Sequence, residues 1–259
     1  MLMKAAKTKG AGLSLALALA LAGPAWAGEK EDAFLAGRSL DCSGCDLSDL
    51  SLKRRNLAGA NLAGAKLDHA SFHRANLRGA NLAGATGVDV NFNGADLTQA
   101  NLSGAKLTET YFYMVDASRA DFTKADLSGS LFGNARLILA KMDGVNLEAA
   151  DLVDARLSDA SLIGANLGYT SANRANFNRA NLTGITAEEI DWTDANLRGA
   201  KLGGAVFAYC TLVRVELGDA DLAGASFTQC DLLSAKLPDD ASKQAKFRRS
   251  LMPDNTMVD

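Results

Sequence analysis

Hydrophobic residues recur at every fifth position along most of the chain. This pattern begins at residues 45–47 and continues to Leu237 without an inserted or deleted residue, and nearly every fifth position holds Leu or Phe. The position two residues earlier is nearly always Ala. A period of five matches neither the 3.6-residue period of an α-helix nor the two-residue period of a β-strand. The pattern therefore predicts a stacked repeat protein, in which each repeat forms one side of a coil and neighbouring coils share a core.

The repeated segment resembles the pentapeptide-repeat family over residues 45–239. Copies of its unit stand at residues 60–64, 95–99 and 220–224, which read ANLAG, ADLTQ and ADLAG. The resemblance implies an all-β fold, a right-handed quadrilateral β-helix with one repeat per side and four repeats per coil. Residues twenty apart would then lie in neighbouring coils, about 4.8 Å from each other.

Every twentieth residue falls in a column of similar side chains, which supports the four-sided coil independently. The proposed core ladder of one column is Phe72, Phe92, Phe112 and Phe132, a second column holds Leu57, Leu77 and Leu97, and a third holds Gly64, Gly84 and Gly104. A five-residue period alone would not sort Phe and Gly onto separate sides. The glycine column indicates corners with positive φ, which Gly adopts most readily.

Residues 1–27 have the composition of a secretory signal peptide. Three lysines precede an apolar run at residues 13–21, and the small-x-small motif Ala25-Trp26-Ala27 follows Pro24. Cleavage is expected after Ala27. A retained membrane anchor is the less favoured alternative, because the apolar run is shorter than the ~20 residues that span a bilayer. The chain is therefore predicted to be exported to the periplasm or secreted, with no membrane insertion after cleavage.

Short caps are predicted at both ends of the β-helix. Residues 28–44 would form the N-terminal cap, with a short helix within residues 29–38. The β-helix itself would occupy residues 45–239, and residues 240–259 would form a C-terminal cap or tail. Asp240 would fall on an inward position, where an unpaired carboxylate is costly. Residues 42–47 and 247–254 are similar to terminal segments of exported family members, although Asn255 stands where those have Gly.

The charge of the chain is mildly acidic and evenly spread. The sequence has 27 basic and 30 acidic residues, and removal of the three signal lysines leaves 24 basic residues. No run of Lys or Arg indicates nucleic-acid binding.

The four cysteines form two candidate pairs. Cys42 and Cys45 form a C-x-x-C motif, for which a structural disulfide is favoured over free thiols, redox chemistry or a zinc half-site. Cys210 and Cys230 are twenty residues apart at the inward position that Ala usually fills. Parallel side chains there would leave their Cβ atoms wider apart than the ~3.8 Å that a disulfide prefers, so two buried free thiols are favoured over a bridge.

No residue cluster indicates catalysis, a cofactor or a metal. The only histidines, His69 and His73, are better explained as scattered surface residues than as metal ligands. Asp and Asn recur before the central Leu of many repeats, and this regularity favours a role in turns over acid–base catalysis. The chain is accordingly predicted not to be an enzyme.

Several repeats depart from the size rule at the large inward position. Trp192 is oversized for this position, and it stands one coil after Ala172. Its ring is therefore expected to lean over the space that Ala172 leaves. The undersized residues would be weak points unless a neighbour fills the space, and they are Gly87, Ala117, Ala172 and Ala187.

Some outward positions hold large apolar residues, which tend to mark interfaces. The alternative is that these side chains merely cover the coil surface. The first group comprises Tyr111, Tyr113, Met114, Leu131 and Val153 on one side, with Ile138 and Leu139 on the next side. A second group comprises Tyr209, Val213 and Leu233.

These features favour a non-catalytic exported scaffold that binds an unknown protein partner or its own copies. The resemblance also implies an alternative, since some family members are acidic DNA mimics that bind type II topoisomerases. The predicted signal peptide disfavours this alternative, because such a target lies in the cytoplasm.

Overall fold

The computed structural model describes residues 26–259, so the predicted signal peptide lies outside the described residues except for its last two. These residues form an almost entirely β structure, a right-handed four-sided β-helix. Parallel bridges join residues twenty apart, from Asp41↔Asn61 near one end to Asp231↔Leu251 near the other. The predicted fold class is therefore confirmed.

The four sides are named here by their contents, in chain order around the coil. The Phe side contains Phe72 and Phe92, the Leu side contains Leu57 and Leu77, and the Gly side ends at corners such as Gly64. The fourth side is called the strand side because it holds β1 to β6. The large and small inward residues of all four sides are buried in one continuous core.

Strands longer than a single bridge occur on the strand side and at the C-terminal end. β1 (Thr86–Val88) pairs in parallel with β2 (Lys106–Thr108). β3 (Thr186–Glu188), β4 (Val206–Ala208), β5 (Ser226–Thr228) and β6 (Lys246–Arg248) form a four-stranded parallel sheet in that order. β7 (Ser250–Leu251) pairs antiparallel with β8 (Met257–Val258).

Hydrogen bonds run both along the stack and within each corner. The Leu62 N–H donates to Asn81 O of the next coil at 2.7 Å, and Asn61 N–H donates to Leu40 O of the preceding coil at 2.8 Å. The Ala65 N–H donates to Leu62 O at 3.0 Å, which closes the corner as a β-turn. The backbone of each coil is thus paired with coils above and below, as a buried backbone requires.

Positive φ is a property of corners in general and not only of the glycine column. Gly64 has φ +65°, as its column indicates, but Arg74 has φ 56° and Tyr169 has φ 59° at equivalent corners. Side chains other than Gly adopt this region at some cost. The stacking of the coils therefore imposes the corner conformation even where the sequence does not favour it.

The N-terminal cap is α1 (Trp26–Leu35), which starts and ends earlier than the helix expected within residues 29–38. Phe34 of α1 is buried in the core, and the Arg55 guanidinium lies 5.8 Å from the centre of its ring. Arg55 also donates to Leu35 O at 2.8 Å, and Glu31 accepts the Asp46 N–H at 2.8 Å. The helix thus covers the core and occupies polar groups of the first coil.

The C-terminal cap mixes a short helix with a partial coil. Gln244 of α2 (Ala241–Gln244) accepts the Leu222 N–H through its side chain at 2.8 Å and the Gly224 N–H through its backbone at 2.8 Å. The chain then rejoins the stack, since Phe247 of β6 stacks on Phe227 with ring centres 5.0 Å apart. We retain residue 239 as the proposed end of the regular repeats, but β-helical pairing extends beyond it.

Gly87, an undersized inward residue, leaves no hole because a neighbour occupies its space. A Cβ atom on Gly87 would lie 2.7 Å from Val90 Cγ2 and 3.1 Å from the Leu67 carbonyl carbon. Val90 stands where Ala usually does, and it is buried. At this corner the large inward position therefore holds the small residue, Gly87, and the small inward position holds the larger residue, Val90.

We expect Gly87→Leu to lower the free energy of unfolding by about 1–3 kcal/mol, because the new side chain overlaps Val90 and the Leu67 backbone. Adding Val90→Ala should recover part of this loss by removing one overlap. Urea unfolding of the two single variants and the double variant measures the coupling. A double variant whose loss equals or exceeds the sum of the two single losses would contradict this account.

Candidate functional site: an exposed apolar patch

The apolar patch comprises Tyr111, Tyr113, Met114, Leu131 and Val153, and the structure brings these residues together on the Phe side and its corner. Tyr111 pairs with Leu131 in the next coil, and Leu131 pairs with Asp151 in the coil after that. The exposed fractions are 38% for Tyr111, 47% for Tyr113, 60% for Met114 and 39% for Leu131, and Val153 is half-buried. Four large apolar side chains therefore face solvent within neighbouring coils.

The ring of Tyr113 lies against the next coil. A Cβ atom on Gly133 would lie 3.3 Å from Tyr113 Cδ2, so the ring rests over the glycine backbone of the next coil. The Tyr113 N–H donates to Asn93 Oδ1 at 2.9 Å, which fixes the backbone from the preceding coil. The patch thus presents an aromatic surface whose shape is set before any partner arrives, and such preorganisation lowers the cost of binding.

A ladder of phenylalanines supports the patch from inside. Phe72, Phe92, Phe112 and Phe132 stack with successive ring centres 5.0, 5.3 and 4.5 Å apart. Phe122 of the Gly side packs its ring edgewise on Phe112, with centres 6.3 Å apart. Stacked and edge-to-face rings add to the stability gained from burial alone. The patch therefore rests on a rigid part of the core.

Ile138 and Leu139 lie beyond a concave region of the Leu side. Leu139 is 46% exposed at a corner, whereas Ile138 is half-buried. The concavity has a volume of about 610 Å³, and Met114, Arg136, Arg156 and Arg174 are among its lining residues. The first apolar group predicted from the sequence is thus distributed around a corner instead of forming one flat surface.

The second apolar group is larger than the sequence indicated. Tyr209 is 53% exposed, while Val213 and Leu233 are half-buried. Tyr169 is 51% exposed at the same corner as Tyr209, two coils earlier. It was not predicted, although its spacing of forty residues from Tyr209 puts it in the same column. The negative charges of Glu189 and Glu188 raise the pKa of Tyr169 above its ordinary value.

Both cysteine pairs are disulfides in the structure. Cys42 and Cys45 are bonded with their Cα atoms 5.2 Å apart, and Cys210 and Cys230 are bonded with theirs 4.5 Å apart. The expectation that Cys210 and Cys230 are free thiols is therefore wrong for this structure. It assumed parallel side chains at the ordinary coil spacing, whereas the Cα atoms here approach more closely than that spacing.

Trp192 is buried and reaches into the preceding coil, as its position after Ala172 indicates. Its exposed fraction is 0%, its ring stacks on Phe177 at 4.9 Å, and Phe207 packs edgewise at 5.9 Å. The indole N–H donates to Thr170 Oγ1 at 3.0 Å, two residues before Ala172. A buried indole N–H needs such a partner.

Ion pairs join corners of neighbouring coils in the C-terminal half. Arg174 donates to both carboxylate oxygens of Asp154 at 2.8 and 2.7 Å, and Arg214 does the same to Asp194 at 2.6 Å. These hydrogen bonds hold the pKa values of Asp154 and Asp194 below their ordinary range. The pairs are exposed, so each contributes little to stability.

Other polar groups have structural roles. Asn and Asp side chains before the central residue accept the N–H two residues later, as Asn61 does from Ala63 and Asp96 does from Thr98. His69 Nδ1 lies 3.6 Å from Asp89 Oδ2 at a corner. Within residues 26–259 no group of three or more His, Cys, Asp or Glu side chains could hold a metal ion. Neither described helix has the length and apolar composition that crossing a bilayer requires.

Comparison with known proteins gives the following matches. Eight copies of the family model described as Pentapeptide repeats match the chain between residues 56 and 237, leaving only residue 87 unmatched in that span. The crystal structure of HetL, a pentapeptide repeat protein involved in heterocyst differentiation regulation from the cyanobacterium Nostoc sp. strain PCC 7120, is similar with a TM-score of 0.60 and 26% identity. That match covers 89% of this chain and 98% of HetL.

A second similar structure is that of full-length QnrB1, a plasmid-mediated fluoroquinolone resistance protein. It has a TM-score of 0.37 and 19% identity, and the match covers 79% of this chain and 90% of QnrB1. No curated protein matches the chain.

Proposed function

This chain belongs to the pentapeptide-repeat family, and from that premise we propose that it is a non-catalytic exported scaffold that binds a partner protein through the apolar patch. The observation that carries this proposal is the patch itself, since Tyr111 and Tyr113 are exposed aromatics on a rigid support. Aromatic residues are enriched at protein interfaces, because they bury large areas with little loss of conformational freedom.

Two features support export. The first 27 residues have the composition of a signal peptide. The structure also contains two disulfides, which persist mainly in oxidising compartments. We therefore place the protein in the periplasm or outside the cell. The proposal predicts that the exported form begins at Gly28.

A non-catalytic role is supported by how the polar side chains of the described residues are used. The central positions of each side face a continuous apolar core, and the Asp and Asn side chains before them accept backbone N–H groups. A catalytic site would need side chains that are free to act on a substrate. The fold family alone does not decide function, so the proposal rests on the patch.

The alternative of a DNA mimic that binds a topoisomerase has one observation in its favour. The strand side carries exposed or half-exposed acidic residues through most of its length, among them Asp46, Asp68, Glu148 and Glu188. An acidic surface attracts proteins that bind phosphate backbones. Export from the cytoplasm argues against this alternative.

We expect the double substitution Tyr111→Ser, Tyr113→Ser to abolish capture of the partner, because it removes the exposed aromatic area. The exported protein serves as bait in a periplasmic extract, and quantitative mass spectrometry compares the captured proteins. A mass measurement of the bait checks that it begins at Gly28.

The matched control is Tyr169→Ser, Tyr209→Ser, which also removes two tyrosines that are about half exposed. A partner captured by the parent and the control, and at least tenfold less by the patch variant, supports the proposal. If capture depends on Tyr169 and Tyr209 instead, or if the patch variant captures every protein that the parent does, the patch is not the binding site.

A further inference from the structure

Charge changes sign along the strand side. Its outward and corner positions are mostly acidic from Asp46 to Glu189, carry no charge at residues 206–229, and become basic in the last coil. The acidic residues are Asp46, Asp49, Asp68, Asp89, Glu109, Asp126, Glu148, Glu188 and Glu189, the basic residues among them are Lys66 and Lys106, and the basic end is Lys246, Arg248 and Arg249.

The basic end has no partner within the described chain. Between residues 26 and 259, ion pairs shorter than 4.0 Å involve neither Lys246 nor Arg248 nor Arg249. All three residues are exposed. Their charges are therefore available to a partner that covers the strand side.

We propose that two copies of this chain associate through their strand sides as a two-fold dimer in which the two stacks of coils run in opposite directions. The two-fold axis runs parallel to the strands, within the interface, at the coil of Asn146. Because the coils are evenly spaced, a strand that precedes the Asn146 strand by a given number of coils faces the strand of the other copy that follows it by the same number. A two-fold interface makes every such contact twice.

This arrangement matches opposite charges and apolar residues. Asp46 faces Lys246 of the other copy, and the strand that contains Lys106 faces the strand that contains Glu188. Thr86 and Val88 face Val206 and Ala208, and Val88 and Val206 are 39% and 47% exposed. Complementary charges fix the register of an interface, while apolar contacts contribute to its affinity.

Other registers lose this complementarity. A shift by one coil in one direction places Lys66 opposite Lys246, and like charges that face each other repel. A shift in the other direction places Lys66 opposite Val206 and Lys106 opposite Asn166. A dimer whose stacks run in the same direction would place every acidic residue against its own copy. The charge order therefore selects the opposed register centred on Asn146.

The available area suits a modest interface. The strand side extends from Asp46 to Lys246, ten coil steps of about 4.8 Å, or about 48 Å. Its width is about 10 Å, because each side has three strand residues at about 3.3 Å per residue. The two copies would bury about 1,000 Å² in total, the lower limit for a specific interface. Two like-charge contacts weaken the dimer, since Glu109 would face Glu189 of the other copy and Glu148 would face its own copy at the centre.

Charge-reversal variants test the dimer directly. Sedimentation equilibrium of the exported protein at low salt gives the dissociation constant. Lys106→Glu alone and Glu188→Lys alone should each raise it at least tenfold, because both symmetric contacts become repulsive. An equimolar mixture of the two variants should restore dimers. The new carboxylate at position 106 of one copy is then close to the new ammonium at position 188, two residues along the facing strand, while the unchanged Glu188 is close to the unchanged Lys106.

The control is Lys66→Glu, which makes the same charge change on the same side but faces Ser226 in this register. It should change the dissociation constant less than threefold. A monomeric parent protein, an equal effect of Lys66→Glu and Lys106→Glu, or a mixture that stays monomeric would each overturn the proposal. The Tyr111→Ser, Tyr113→Ser variant should dimerise like the parent, so the dimer and the apolar patch are tested separately.

Discussion

Replacement of Trp192 by Ala should lower the free energy of unfolding by about 3–5 kcal/mol, the range for removing a large buried side chain. The indole is fully buried between Phe177 and Phe207. The preceding coil has only Ala172 at this position, so two successive coils would then lack a large side chain in this column. Urea unfolding followed by circular dichroism measures the loss.

Two further substitutions separate packing from hydrogen bonding at Trp192. Trp192→Phe keeps an aromatic ring and should cost less than Trp192→Ala. Thr170→Val removes the acceptor of the indole N–H and should cost about 1–3 kcal/mol, the penalty for an unsatisfied buried donor. A loss below about 1 kcal/mol for Trp192→Ala would show that the neighbouring coils collapse into the space.

Removal of the Cys210–Cys230 disulfide should lower the free energy of unfolding by about 3 kcal/mol, as expected for a closed loop of this length. The variant Cys210→Ala, Cys230→Ala is suitable because Ala is the usual residue at these inward positions. The decrease in the free energy of unfolding then measures almost only the contribution of the cross-link. Urea unfolding of the parent and the variant gives the difference.

The control for this cross-link is Cys42→Ala, Cys45→Ala, because that disulfide spans a sequence separation of only 3 residues compared with 20. Removal of the N-terminal disulfide should therefore lower the free energy of unfolding by about 1.5 kcal/mol less than removal of the Cys210–Cys230 disulfide. Equal stability of the parent and the Cys210→Ala, Cys230→Ala variant, or free thiols at these positions in the exported protein, would contradict the prediction.

The repeat pattern predicts the fold because it assigns each residue to one side, to one coil, and to the core or the surface. The column of Phe72, Phe92, Phe112 and Phe132 becomes a stack of rings, and the column of Gly64 becomes a line of corners with positive φ. Each such residue obeys a local preference that agrees with the global stack. A sequence specifies one fold when its local preferences agree with its global packing.

The features that sequence alone did not predict depend on contacts between neighbouring coils. Arg74 and Tyr169 adopt positive φ because the stack requires it, although their own preference is different. The Cys210–Cys230 disulfide depends on a local approach of two coils that the average spacing does not contain. Gln244 replaces part of a missing coil, and no repeat pattern extends to such a residue.

The candidate binding surface was only partly predictable. The outward direction of Tyr111 and Tyr113 follows from the five-residue period, and their exposure agrees with it. Tyr169 was not predicted, although it stands at the same corner as Tyr209 and the same pattern indicates its exposure. The partner of the patch is a proposal, since a repeat pattern determines which residues face solvent but not which protein they bind.

The hydrogen bonds between coils are arranged so that a pulling force would break them one coil after another. When force is applied at the two chain ends, the terminal coil bears it first, because each coil is bonded only to its neighbours. Each released coil would add about 70 Å of extended chain for its twenty residues. The Cys210–Cys230 bond would keep one such loop closed. A stack of this design would therefore lengthen in similar steps under tension, and the coil between Cys210 and Cys230 would extend only after the disulfide is reduced.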